Sequence, residues 1–394
     1  MNTRSAIVAG AGIGGLAAAI GLRRAGWSVT VLERAAELRE AGAGWSFAPN
    51  SVRAADALGF GDVMRSVSVP TRAAANLLTP SGRYLMRFRE GRDTPLLANH
   101  RADLHRALLE HLGADSVQID AEVTGIAQDP LGVAVDYRTT DGLRQIVADL
   151  LIGADGIHSA VRTALWPGVP RPVYQRILCW RGVTEPGSVW PVDGFQTWGR
   201  GARVGGHPLP QERVFWFLAV REPQPRTHYA NDPAEVRRRI GDWHDPIPAL
   251  LAATPPNSLL HNDIDDLDPL PNYTDGRVAL LGDAAHAMTP FLAQGAGQSF
   301  EDAAVLAACL TGDTEISSAL TEYDRQRRHR SQRVQRMART DPKVSLATNP
   351  VTYGAMTTLT RLAGPGVAAR KAARIWDWTP PQIPVVPGGT TGRR

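Results

Sequence analysis

Residues 6–15 read Ala6-Ile7-Val8-Ala9-Gly10-Ala11-Gly12-Ile13-Gly14-Gly15. Four apolar residues run straight into Gly-x-Gly-x-x-Gly, and Leu16-Ala17-Ala18-Ala19-Ile20 continues with helical character. Gly10 permits the tight turn, Gly12 lets the backbone approach a pyrophosphate, and Gly15 lets the helix pack close to the strand. The helix N–H groups and dipole then face the phosphates. The pattern predicts a helix to about Ala25, stopped by Gly26, and a second strand from Ser28 to Leu32 that ends in Glu33. A carboxylate about twenty residues past such a loop binds ribose hydroxyls and repels a 2′-phosphate. Strand, glycine loop, helix, strand and terminal acid together point to a Rossmann-like α/β nucleotide-binding domain.

Two later segments carry the same kind of chemistry. In residues 149–162 a buried strand delivers Asp155-Gly156 into a turn, and a helix starts near Ser159. In residues 277–302 a strand leads to Gly282-Asp283-Ala284-Ala285-His286, then Pro290, then Gln294-Gly295-Ala296-Gly297-Gln298 and an apolar helix from Gly297 to Leu310. Asp283, at a strand end, can accept a bond from a ribitol hydroxyl. The backbone N–H groups of Gly295, Ala296 and Gly297 can meet an isoalloxazine edge at a helix N-terminus.

Between these segments the texture varies. A helix is predicted from Asn50 or Ser51 and another over Arg101 to Leu109. Strands are predicted over Val133 to Tyr137 and Gln145 to Leu151, with Asp141-Gly142 as the turn. Short β-like stretches bounded by Gly and Pro, including Val204 to His207 and Val214 to Val220, predict an inserted antiparallel sheet. The expected division is a discontinuous nucleotide domain (residues 1–70, 100–172 and 270–340), a substrate-binding β-sheet domain (71–99 and 173–269) and a C-terminal helical segment (341–394). The close of the chain, with Pro380, Pro381, Pro384, Pro387 and Gly388-Gly389, predicts disorder.

The three segments, in this order, resemble the class A flavoprotein monooxygenases, the family of para-hydroxybenzoate and salicylate hydroxylases. Arg101-Ala102-Asp103-Leu104 is similar to that family's R-x-x-L segment. The resemblance covers roughly residues 5 to 340. It implies that Gly10, Gly12, Gly15, Glu33, Arg34, Arg101, Val123, Asp155, Asp283, Gly295, Ala296 and Gly297 line FAD. It further implies that NADH or NADPH binds only transiently, and that reduced flavin takes up O₂ as a C4a-hydroperoxide and passes one oxygen to a small to medium aromatic or heteroaromatic ring. A resident nicotinamide domain would need a second strand–glycine loop–helix, and Gly199-Arg200-Gly201-Ala202-Arg203 lacks both spacing and helix. The middle of the chain is similar to bacterial FAD-dependent urate hydroxylases, which place an Arg where Arg203 falls and a Tyr where this chain has Phe215. That departure favours a more apolar ring.

Candidate residues on the substrate side are Arg203, His207, Phe215 and Pro290. Arg203 and His207 share a strand face by their even spacing. Arg203 suits either a carboxylate or phenolate substrate or an acid of the protein itself. His207 is the weaker base candidate. Trp45, Phe47, Trp180, Phe215 and Phe217 suit either a pocket wall or ordinary core. The resemblance places Pro290 beside the flavin ring and makes His286 part of its own segment's packing.

Composition bounds the rest. The 394 residues suit two domains or one with insertions, and a 21% share of charged residues is ordinary for a globular protein. No stretch approaches the about 18 apolar residues that span a bilayer, no metal-ligand pattern stands out, and two cysteines far apart fit a reduced, cytoplasmic protein. The arginines from Arg325 to Arg339 read as a solvated helix face rather than a nucleic-acid site, since no aromatics interleave them. Oligomeric state stays open between monomer and dimer. Two other functions compete: a flavin-binding protein without turnover, and a urate-type purine oxidation. A flavin halogenase is set aside because no Lys precedes Lys343.

Overall fold

The computed structural model describes residues 3–38, 43–71, 76–87, 96–169, 171–188 and 193–384. Its centre is a six-stranded sheet in the order Thr274–Asp275, Val278–Leu280, Leu150–Gly153, Ser5–Ala9, Ser28–Leu32, Val117–Gln118. All pairings but the first are parallel. The interior strands are almost wholly buried, as a parallel sheet covered on both faces requires. Helix Ile13–Arg24 packs beside Gly295–Cys309, and Gly21 makes that approach possible: a Cβ there would sit 3.1 Å from the Ala307 Cβ.

The first helix ends at Arg24 with Ala25 as its cap and Gly26 at φ +92°, in line with the sequence pattern. Residues 145–151 form two strands rather than one. The hairpin strand Gly142–Ala148 stops, and Leu150–Gly153 starts in the six-stranded sheet. Asp149 makes the change of sheet, its carboxylate accepting bonds from the Ser5 N–H (2.7 Å) and hydroxyl (3.0 Å).

The second large sheet has seven strands: Leu260–Asp266, Val173–Val183, Arg213–Arg221, Ala202–Leu209, Phe195–Gly199, Asn76–Leu78 and Tyr84–Met86. One face carries Trp180, Val204, Trp216 and Leu218 and is covered by helices Asp232–Ile240 and Ile247–Ala252. Trp180 therefore belongs to that core and not to a pocket wall. Strand Leu96–His100 stays out of this sheet and pairs with Gly44–Phe47 and Val69–Thr71.

The chain continues as helices Ile316–Ser345 and Pro350–Trp376. Past them the close of the chain is more ordered than its prolines suggest, because Ile383 is buried in the main core. Pro387, Gly388 and Gly389 lie outside the described residues.

Candidate functional site

Four parallel strands each deliver a candidate residue at their carboxyl ends: Ser5–Ala9 leads to Gly10, Ser28–Leu32 to Glu33, Leu150–Gly153 to Asp155, and Val278–Leu280 to Asp283. This is the edge at which open α/β sheets bind ligands. Gly10 has φ +104°, and a Cβ there would meet the Ala154 carbonyl oxygen at 2.5 Å. A Cβ on Gly15 would lie 1.9 Å from the Gly10 carbonyl oxygen, so only glycine fits under the loop. Gly12, by contrast, faces open space. Glu33 braces the loop by accepting the Ala11 N–H at 2.8 Å, while its other oxygen accepts the Ala35 N–H at 2.9 Å. Arg34 is exposed.

Asp155 accepts the Ala160 and Val161 N–H groups at 2.7 and 3.1 Å, holding the start of helix Ala160–Leu165. Its second oxygen is buried without a partner, and burial raises its pKa against those bonds. Asp283 is open to the cleft, 3.9 Å from where a Gly295 Cβ would stand. Protein surrounds it on most sides, and that desolvation raises its pKa against the pull of His286 and Arg101. Arg101 opens helix Arg101–Leu112, with its guanidinium 5.1 Å from the Trp45 ring centre. Gly295 and Ala296 are half-buried at a helix start, and Gly297 sits so near Ser51 that a Cβ would meet its Oγ at 2.1 Å. Val123 stands apart from these loops in sequence, half-buried in strand Glu122–Gln128 opposite Tyr137. Pro290 is exposed and opens the turn Pro290–Leu292.

These residues fit FAD. The open face of Gly12, the helix starts at Ile13 and Gly295, and the carboxylates of Glu33 and Asp283 match a diphosphate joined to two polyhydroxyl chains. Three buried polar atoms without partners, on Asn50 (Oδ1), Ser51 (Oγ) and Gln294 (Nε2), lie where helices Pro49–Leu58 and Gly295–Cys309 begin.

Behind the cleft lies a buried polar network that the sequence reading missed. Asp302 accepts bonds from His286 Nε2 (2.6 Å), the Gly282 N–H (2.9 Å) and Arg327 Nε (2.7 Å). Glu301 accepts Asn50 Nδ2 (2.7 Å), Gln298 Nε2 (3.0 Å), Arg327 Nη1 (2.6 Å) and Arg330 Nε (2.5 Å). Burial alone would raise the Asp302 carboxyl. The attraction of His286 and Arg327 and the bonds from His286 and Gly282 outweigh it and hold the pKa at about 2. The network fixes the Gly282-Asp283 turn from below. It also corrects the reading of residues 325–339 as a solvated face: Arg327 is fully buried, Arg330 reaches Glu301, and Arg339 pairs with Asp266 and Asp268.

Across the cleft, one face of the seven-stranded sheet presents Arg203, Gly205 and His207 beside Phe215 and Phe217, in the register Gly205↔Phe217 and His207↔Phe215. A Cβ on Gly205 would strike the Phe217 ring at 2.5 Å, so glycine lets that ring lie over the strand. Phe215 packs on Gly44, the first residue of strand Gly44–Phe47. Arg203 is 3% exposed. It donates to Asp341 (2.7 Å), Ser345 (3.3 Å) and Gln196 (2.7 Å), and lies 5.1 and 5.9 Å from the ring centres of Phe291 and Phe217. Phe47 belongs to the core, stacked on Phe300 at 5.3 Å.

Residues 3–338 match the family model described as FAD binding domain. The chain belongs to that family. It is a class A FAD-dependent monooxygenase, and FAD is its cofactor. It is 36% identical over 323 residues to the aurachin C monooxygenase/isomerase of Stigmatella aurantiaca, covering 80% of this chain and 83% of that protein. It is 37% identical over 336 residues to the FAD-dependent urate hydroxylase of Klebsiella pneumoniae, covering 82% and 85%. The structure of Klebsiella pneumoniae HpxO complexed with FAD and uric acid superposes with a TM-score of 0.87 at 31% identity, over 95% of this chain and 96% of that one. A salicylate hydroxylase substrate complex superposes at 0.76 with 25% identity, over 96% and 99%. In this monooxygenase no helix among the described residues is long and apolar enough to cross a membrane, and its cysteines are free.

Proposed function

We propose that this monooxygenase hydroxylates, or epoxidises, an aromatic or heteroaromatic ring seated between the Gly295 helix start and the face that carries Phe215 and Phe217. The observation that carries the reading is the facing of two surfaces. On one side stand the nucleotide loops, Asp283 and Phe291 of the turn before Gly295, and on the other the sheet face that carries Phe215 and Phe217. The balance for hydroxylation is ring C–H, O₂, NAD(P)H and a proton giving ring C–OH, NAD(P)⁺ and water.

Bound FAD supplies the acceptor for the nicotinamide hydride and the activation of O₂. Gly10, Gly12 and Gly15 give the diphosphate its backbone cradle, and Glu33 and Asp283 accept from hydroxyls at its two ends. The half-buried rings of Phe217 and Phe291 orient the substrate plane and exclude water. Arg203 fixes the wall to helix Ile316–Ser345 through Asp341. His207 is held neutral, since burial pushes its imidazole down to about 4, and it serves as wall rather than base. Pro290 shapes the turn leading to Gly295.

The test is aerobic NAD(P)H oxidation by the yellow holoenzyme with a panel of neutral and anionic aromatic and purine compounds. Stimulation by an aromatic ring, with one oxygen added to the product, supports the reading. Stimulation by urate alone would replace it with a purine oxidation, and stimulation by nothing would leave a flavin-binding protein.

A further inference from the structure

We propose that Asp341 sets the substrate class: by neutralising Arg203 it commits the pocket to an uncharged aromatic ring carrying an oxygen acceptor, and against a carboxylate. The inference rests on the monooxygenase reading and narrows it.

Arg203 is a cation buried against the aromatic wall, and its charge is already matched by Asp341. Asp341, from helix Ile316–Ser345, takes Nη1 at 2.7 Å, with Ser345 beside it and Gln196 on Nη2. The guanidinium lies among Phe217 and Phe291 with almost no solvent contact. In such surroundings a charge pair is weakly screened. What the guanidinium still offers is Nε, a buried N–H without a partner. A neutral carbonyl or hydroxyl oxygen can accept that bond and leave the local charge balanced. A carboxylate placed there would share the Arg203 guanidinium with Asp341, so two negative charges would meet on that one guanidinium beside the rings of Phe217 and Phe291. Like charges at that range disfavour each other's ionised form. On the same face the adjoining strand sets Arg181 across from Phe217 and Cys179 across from Ala219, while His207 packs on Phe215 with ring centres 5.0 Å apart and bonds the neighbouring Pro208 carbonyl. Burial holds His207 neutral and it adds no positive charge. Further along, Arg213 is paired with Asp103 at 2.9 Å.

The chemistry makes Asp341 a specificity-determining residue although it need not touch the ring. Removing its charge while keeping its shape would free one positive charge at the wall.

The experiment titrates FAD-loaded enzyme with matched pairs at neutral pH: meta-hydroxybenzamide against meta-hydroxybenzoate, and a hydroxyquinoline against its carboxylate. Binding is read from the perturbed flavin absorbance. In the wild type the neutral member is expected to bind at least about tenfold more tightly. Asp341→Asn is expected to shift that ratio toward the carboxylate by about tenfold or more, with FAD content unchanged, and Asp341→Glu to preserve it. A wild type that binds the carboxylate as tightly as the neutral ring overturns the proposal, and so does an Asp341→Asn enzyme with an unchanged ratio. Should Asp341→Asn fail to fold, the wild-type ratio decides alone. These outcomes leave the monooxygenase reading standing, since that fails only if no ring, neutral or charged, accelerates NAD(P)H oxidation.

Discussion

Asp302→Asn is expected to lower the stability of the protein by about 3–5 kcal/mol, the range for breaking a buried ion pair from one side. The reason is geometric. Both Asp302 oxygens face donors: His286 and the Gly282 N–H on one, Arg327 on the other. An amide must turn its NH₂ toward one of them, and Arg327 keeps only Glu301 as a charged partner. For a chain of 394 residues unfolding as one unit, that loss lowers the melting temperature by about 4–6 °C. Asp56→Asn, at a pair whose side chains are 44% exposed, supplies the contrast: it is expected to cost less than about 1 kcal/mol. The assay is thermal unfolding of both variants without added FAD. Asp302→Asn melting within a degree or so of wild type would refute the argument that the network supports the Gly282-Asp283 turn. The same carboxyl fixes a pH dependence. Its folded pKa of about 2 lies below the unfolded value of about 3.9. Its contribution is therefore complete above about pH 4 and is lost as pH falls through about 2.

Three further outcomes follow from the site. Asp283→Ala is expected to weaken FAD binding about ten- to a hundredfold, since a hydrogen bond to a charged acceptor contributes roughly 1.5–3 kcal/mol; flavin titration of the apoprotein reads it, and unchanged affinity would remove Asp283 from the FAD site. Gly15→Ala is expected to abolish FAD retention, because its Cβ would sit 1.9 Å from the Gly10 carbonyl oxygen; a variant that purifies yellow at full occupancy would contradict the close packing of loop and helix. His207→Gln is expected to leave the shape of the pH profile of substrate-stimulated NAD(P)H oxidation unchanged between about pH 5 and 8, where an unperturbed imidazole titrates. A break that disappears in the variant would show that His207 is not neutral there.

The nucleotide half was legible because its chemistry is local. A strand, a glycine loop and a helix sit within twenty residues, and each glycine has a steric reason visible in the pattern. Asp283 at its strand end was readable for the same reason, while the apolar helix, expected from Gly297, starts two residues earlier at Gly295. The network was not, because its members come from residues 50, 282–302 and 327–330 and meet only in the fold. Two signals were nonetheless present. Glu301 and Asp302 stand in an otherwise apolar helix that carries no basic residue of its own. Arg327 occupies the buried stripe of Ile316, Leu320, Tyr323, Ser331, Val334 and Ala338, where an apolar side chain is the norm. The charge run hid this, since spacing alone does not say which arginines face inward. Arg203 illustrates the limit on the substrate side. Its face was readable from strand alternation, but its partner Asp341 lies 138 residues away. The split of residues 145–151 between two sheets had no apolar signal, because Asp149 marks the change through a bond to Ser5.

The central claim, that the facing of the nucleotide loops and the aromatic wall serves oxygen insertion, is tested most directly by turnover under isotopically heavy O₂. The compound that best stimulates NAD(P)H oxidation is used as substrate, with product analysed by mass spectrometry and peroxide measured alongside. The account predicts one heavy oxygen atom in each product molecule and little peroxide. NAD(P)H consumption that yields peroxide and an unlabelled, unchanged ring with every stimulating compound would contradict it.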